Sequence, residues 1–226
     1  MNNFDFSVIW PSLPYLATGL RYTLTLTFVA FAGGLLGGLG LALARLSAWP
    51  WLRMPAALYV NLMRAIPLVL VIFWFYFLVP ILGQWILQTP QPLRVGPDQT
   101  ALISFTLFEM AYCGEIIRAG IQSVPRGQVA AAQALGLTYS QQMRYVVLPQ
   151  AWRNMWPLLL TQAIVLFQDT SLVYVISGTD FLGAAAKIAQ RDGRLLEMYS
   201  FTALIYFFIS FSLSWQVKHW QHRSQT

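Results

Sequence analysis

Gln162 and Asp169 stand seven positions apart in an apolar run, with Gln168 and Thr170 beside the second of them. If that run is helical, positions i and i+7 fall near one face. An amide, a carboxylate and a hydroxyl then mark a polar stripe in an otherwise apolar segment. An amide donates hydrogen bonds to a carboxylate without adding charge, so Gln162 suits an anionic solute, which a carboxylate there would repel. Asp169 suits such a solute poorly and is better read as tied to nearby backbone or to a cation. A second group lies in another apolar run: Glu109, Glu115 and Arg118. Glu115 precedes Arg118 by three positions, which allows an ion pair on one helix face, and Arg64 is expected as a further structural partner of Glu115. The chemistry on offer is binding and passage. No set of nucleophile, base and orienting group is recognisable, and Glu109 with Glu115 is not a metal motif. The single Cys113 excludes a disulfide framework. His219 and His222, beside Lys218 and Arg223, read as a solvated basic end. A phosphate-binding loop needs Gly-Lys-Ser/Thr, and neither Lys187 nor Lys218 follows a glycine. No catalysis, metal or resident cofactor is therefore expected of this chain.

The elements that must position these residues are membrane spans. Of the 226 residues, 57% are hydrophobic and only 10% charged, with mean hydropathy +0.56. A water-facing surface requires roughly 25% charged residues, so lipid must replace water over much of the exterior. The net charge of +6 comes from scattered single arginines, not the clustered basic stripe that nucleic-acid binding needs. The first twenty residues hold Asp5 and no Lys or Arg, unlike the basic start of a secretory signal. Uncharged runs predict spans at about 17–45, 55–87, 99–122, 153–177 and 198–217, with an N-terminal tail 1–16 and a basic tail 218–226. The first span carries Gly33, Gly34, Gly37, Gly38 and Gly40, a small-residue pattern that lets helix backbones approach closely in lipid. A shorter helix leads into the second span from Arg53 to Arg64, and a polar stretch holding Asp180, Lys187, Arg191, Asp192, Arg194 and Glu197 separates the fourth and fifth. The fold class is all-α, integral to the membrane.

Loop cations set orientation. With the N-terminus outside, the inner segments hold Arg45, Arg53, Arg126, Arg144, Arg153, Lys218 and Arg223, and the outer ones Arg94, Lys187, Arg191 and Arg194. Seven against four favours N-out, C-in. That leaves residues 123–150 as a soluble inner loop. Pro125 suits a first helical turn, Gly136 ends that helix in the left-handed conformation, and Thr138 with Gln141 forms a capping box for the next. Leu148-Pro149 is expected to close the second helix, because the residue before proline avoids helix. Ala130, Ala131, Ala132 and Ala134 make the first helix thin. It can fit a groove on another protein or pack as a tight turn on its own bundle, and the residues alone leave both open.

In this loop, Gly127-Gln128, Ala130-Ala131-Ala132, Ala134-Leu135-Gly136 and Val147-Leu148-Pro149-Gln150-Ala151 resemble the EAA loop of bacterial ABC-importer permeases of the polar amino-acid subfamily. Arg64-Ala65-Ile66-Pro67-Leu68, Ala111-Tyr112 through Glu115-Ile116-Ile117-Arg118, and Gln168-Asp169-Thr170-Ser171-Leu172 are similar, in order and spacing, to that subfamily's second, third and fourth spans. Ala130 departs from the family's Glu, which puts in doubt any salt bridge from this position to an ATPase. The Leu166–Val175 run and the opening Ile9–Tyr15 most resemble glutamate/aspartate importer permeases. The resemblance implies the type I importer-permease fold, in the bacterial inner membrane, with a coupling helix in the cytoplasmic loop. It implies a dimeric cytoplasmic ATPase that supplies ATP and Mg chemistry and docks on Gly127, Gln128, Ala130, Ala131, Ala132, Gly136, Leu148 and Pro149. A second, homologous permease (a heterodimer rather than a homodimer) and a periplasmic amino-acid-binding protein complete the expected partners. Permeases for glutamine, histidine or arginine are the alternative; an ion-coupled transporter or channel subunit is another, though no internal repeat of the kind common there is visible.

Overall fold

The computed structural model describes the backbone of residues 5–225 and the side chains of residues 5–221. The side chains of His222 and Arg223 therefore lie outside the described residues. Those residues form helices and no strand: α1 (Ile9–Leu46), α2 (Pro50–Ala65), α3 (Leu68–Leu87), α4 (Pro97–Gln122), α5 (Arg126–Ala134), α6 (Tyr139–Ile176), α7 (Phe181–Asp192) and α8 (Leu195–Gln225). Five of them, α1, α3, α4, α6 and α8, are long and apolar enough to cross a membrane. The chain groups into two compact units that share these helices. One comprises Met1–Ala32, Ile66–Leu107 and Ile164–Leu213, the other Gly33–Ala65, Phe108–Ala163 and Ser214–Thr226.

Several helices run beyond the bounds read from the sequence. The expected tail 1–16 is already helical from Ile9, after a short turn in which the Asp5 carboxylate accepts the Ser7 N–H at 2.9 Å. The expected tail 218–226 continues α8 to Gln225. Residues 55–87 are two helices, the first being the shorter lead-in helix expected at Arg53–Arg64, because Pro67 takes an extended conformation between α2 and α3. The polar stretch after the fourth span contains a whole helix, α7. Asp180 caps it by accepting the Leu182 and Gly183 N–H groups at 3.0 and 3.2 Å, and Gly193 ends it with φ +66°.

The largest correction is at Leu148-Pro149, where no helix ends. Tyr139 through Ile176 runs as one helix, because residues Met143–Val147 form a π turn in which the Leu148 N–H reaches the Met143 carbonyl. Trp74–Leu78 does the same two residues ahead of Pro80, with the Val79 N–H on the Trp74 carbonyl. A proline mid-helix lacks a donor and clashes with the carbonyl four residues back. Widening the preceding turn removes that clash without breaking the rod. The second predicted loop helix is therefore the start of α6, continuous with the helix that carries the fourth candidate span.

Packing in the unit containing Gly33–Ala65 is set by close approach of α1 and α4. A Cβ on Gly34 would lie 2.5 Å from that of Glu109, and one on Gly38 2.7 Å from the Gly114 nitrogen. Gly40 has open space around it, so the small-residue stripe serves the interface through only part of its length. In the other unit α1 meets α7. Leu16, Phe181, Ala184, Ala185, Ile188, Ala189 and Met198 form a buried cluster, and the Phe181 N–H donates to the Thr23 hydroxyl at 3.0 Å.

Candidate functional site

Three arrangements concern the residues that sequence reasoning singled out. The first is polar and buried. Glu109, on α4, is 1% exposed. Gln162, half-buried on α6, donates from Nε2 to Glu109 Oε1 at 2.9 Å. The contact is 53 positions long in sequence, so no local pattern announces it. It commits one of the amide's two N–H groups and leaves the other, with the carbonyl oxygen, available. Gln168, Asp169 and Thr170 fall in the other unit. Gln168 is exposed and Thr170 is buried, its hydroxyl donating to the Phe167 carbonyl at 2.6 Å. Asp169 is half-exposed. Contrary to the expectation of a backbone or cationic partner, its carboxylate makes no hydrogen bond or ion pair among the described residues. It sits where α6 tightens to a 3-10 turn, and its side chain accepts no capping N–H.

The second arrangement is ionic. Arg118 grips Glu115 through two bonds, Nε to Oε2 at 3.1 Å and Nη2 to Oε1 at 2.5 Å, while also donating to Gln122. Arg64 stands 3.8 Å from the same carboxylate and lies over the Tyr112 ring at 5.5 Å. Arg45, at the end of α1, donates to Glu115 Oε2. Sequence reasoning treated Arg45 only as a topology cation, since nothing local relates residues 70 positions apart. One carboxylate thus ties together α1, α2 and α4. Partial exposure, 13% for the Arg45 side chain and 41% for Arg64, makes the inner pair the stronger.

The third is the loop. Thr138 and Gln141 form the capping box: the Gln141 Oε1 accepts the Thr138 N–H at 2.9 Å and the Thr138 hydroxyl accepts the Gln141 N–H at 3.4 Å. Gly136 has φ +77°, a conformation that costs an L side chain about 1–2 kcal/mol. Pro125 is the N-cap of α5, extended at ψ 133°, one place before the first turn. Val124, Val147 and Ala151 form a small buried cluster against which Val129 and Met143 pack. From α5 itself only Ala132 is buried, at 4% exposure. Gly127, Gln128, Ala130 and Ala131 face outward, as does Leu148, and Pro149 follows it on α6. Leu135 and Tyr139, at 82% and 78% exposure, extend the same bare apolar surface; neither stands out in the sequence beyond its place beside Gly136.

The chain as a whole is similar to known proteins. Residues 34–225 match the model of the binding-protein-dependent transport system inner membrane component family. The glutamate/aspartate import permease protein GltK of Escherichia coli is 50% identical over 229 residues, covering 99% of this chain and 100% of that protein. The glutamine transport system permease protein GlnP of Escherichia coli is 33% identical over 221 residues, covering 97% of each. Among solved structures, an amino acid ABC transporter crystallised with histidines superposes with TM-score 0.89 at 32% identity, covering 98% of this chain and 100% of that one. The inward-facing MetNI methionine ABC transporter shares the fold, with TM-score 0.75 at 19% identity over 95% of this chain and 98% of that one. The chain therefore belongs to the inner membrane components of binding-protein-dependent transport systems, the permease subunits of ABC importers, and is a multi-pass protein of the bacterial inner membrane.

Proposed function

We propose that this permease passes glutamate and aspartate inward. The observation that carries the substrate is the end-to-end 50% identity to a glutamate/aspartate import permease. The polar group we assign to meet the solute is the amide of Gln162, which keeps one N–H and its carbonyl oxygen free of the bond to Glu109. The chain's orientation is N-out, C-in, which puts α5 in the cytoplasm. There its outward face, Gly127 to Ala131 with Leu135 and Gly136, is received by a dimeric ATPase that binds ATP and Mg. Leu148 and Pro149, just past the π turn of α6, complete the surface that meets the ATPase. A similar but distinct permease supplies the other wall of the pore, since five helices of one chain make a thin wall, and a periplasmic binding protein delivers the amino acid.

Reconstitution of this chain with those partners in vesicles tests the reading. Labelled glutamate and aspartate should accumulate only with ATP and binding protein present, and glutamine, histidine and arginine should not. Accumulation driven by an ion gradient without the ATPase would refute an importer role; preferential uptake of glutamine would move the substrate assignment and leave the rest intact.

A further inference from the structure

Midway along α6 and toward the C-terminal end of α8, within a single unit, lies an open groove of about 550 Å³ lined by Trp152, Arg153, Trp156, Pro157, Leu160, Val217 and Trp220. Neither the passage nor the loop accounts for it. Its polarity is graded along the helices. Arg153 is exposed and makes no ion pair among the described residues. Trp152 and Trp156 stack at 5.1 Å beside it, with Trp152 and Trp220 52% and 59% exposed. Pro157 and Leu160 follow on α6, Leu160 ~10 Å further along the axis than Arg153 at ~1.5 Å per residue. On α8 the order is mirrored: Lys218, His219 and Trp220 lie toward the helix end and Val217 deeper.

The charge is uncompensated. No acidic residue occurs between Glu115 and Asp169 or anywhere after Glu197, so α6 and α8 carry only positive charge around the groove. A cation at the rim, indole rings below it and an aliphatic floor reproduce, in order, the phosphate, glycerol-ester and acyl zones of a phospholipid. Indoles sit at headgroup level because their N–H needs a polar partner while the ring prefers apolar contact. Basic pockets between spanning helices take anionic headgroups.

We propose that this groove binds an anionic glycerophospholipid, its phosphate on Arg153 and one acyl chain along Pro157, Leu160 and Val217. The test uses the full chain assembled with its partner subunits, in phosphatidylcholine nanodiscs containing a minority of phosphatidylglycerol. Native mass spectrometry should find phosphatidylglycerol retained about fivefold above its share. Arg153→Gln should abolish that enrichment, and Arg53→Gln, outside the groove, should preserve it. Leu160→Trp, which fills the floor and leaves the charge in place, should also abolish it, and serves if the arginine variant does not assemble. Brominated phosphatidylglycerol should quench wild-type tryptophan fluorescence more than brominated phosphatidylcholine, and a Trp152→Phe, Trp156→Phe, Trp220→Phe variant should lose the difference. Equal quenching by the two lipids, or enrichment that survives both groove variants, would overturn the proposal. So would displacement of the lipid by glycerol phosphate alone, which would mark a site for soluble phosphate. Crosslinking of Trp152→Cys to the second permease with no lipid effect would make the groove a subunit interface instead.

Discussion

Gln162 spends one amide hydrogen on Glu109, 2.9 Å away, so its polarity is held by a neighbour on another helix. Any substitution at Gln162 therefore also changes what a buried carboxylate meets. Gln162→Glu brings two carboxylates within hydrogen-bond reach. At ~4 Å and an effective dielectric near 20 their repulsion is about 4 kcal/mol, relieved only if one binds a proton. The single variant should lose thermal stability and the uptake of every substrate. Exchanging the pair, Glu109→Gln with Gln162→Glu, should recover the stability. Glutamate uptake in the exchanged protein should stay at least about tenfold down relative to a neutral analogue such as glutamine, with the binding protein held constant. Equal recovery of both substrates would mean that Gln162 packs and does not face the solute.

Gly136, at φ +77°, is the one loop residue whose backbone refuses a branched side chain. Gly136→Val should re-aim α5 at a cost of about 1–2 kcal/mol. ATP hydrolysis stimulated by the loaded binding protein should fall severalfold while membrane insertion is kept. Gly127 has open space around it and no positive φ, so Gly127→Ala should leave the stimulation unchanged. Normal stimulation in the valine variant would count against docking at this loop.

Glu115 is shared by three guanidinium groups, and they are not equivalent. Glu115→Gln should lower stability by about 2–3 kcal/mol, below the 3–5 typical of fully buried pairs because the site is partly exposed. Arg45→Gln should cost more than Arg64→Gln, since Arg64 is the most distant, at 3.8 Å, and the most exposed of the three. Thermal melts of the purified complex would rank them; the reverse order would show that the Tyr112 contact, not the ion pair, is what Arg64 contributes.

Asp180 is fully buried, and burial pushes its carboxyl up to about 6, against the pull of the Leu182 and Gly183 N–H groups and the Lys187 charge. A carboxyl raised in the folded state stabilises fully below its unfolded value of ~3.9, and that contribution is lost as pH rises through about 6. The protein should therefore melt at higher temperature at pH 5 than at pH 8, by an amount equivalent to at most about 1.5 kcal/mol, since part of the contribution is already lost at pH 5. Asp180→Asn keeps a capping side chain but does not titrate, so its pH dependence should be flatter. An unchanged slope in that variant would assign the effect to another group.

What was legible in the sequence was local. Uncharged runs located the five spans, and Thr138 with Gln141 and Gly136 described the loop's turns, because caps and left-handed turns are decided within a few residues. Helix α7 escaped notice because Lys187, Arg191 and Asp192 interrupt it and mark it as polar among long uncharged runs, whereas its fold depends on a face of Phe181, Ala184, Ala185, Ile188 and Ala189. The expectation of a break at Pro149 applied a rule about ordinary α turns to a turn of a different size. Arg45 with Glu115 and Gln162 with Glu109 join residues 70 and 53 positions apart, and one-dimensional spacing carries no trace of either.

The two π turns, at Trp74–Leu78 and Met143–Val147, each behave as one surplus residue in an otherwise regular helix. Every side chain beyond them is rotated by ~100° from where uninterrupted α periodicity would aim it. Removing one residue inside either turn would shorten the span by a single step and revert it to plain α geometry, with its proline left to kink it. Removing one residue elsewhere in the same helices would rotate the remainder out of its contacts. These are the two places where a relative of this chain could differ in length within a span and still line up on both sides of the gap.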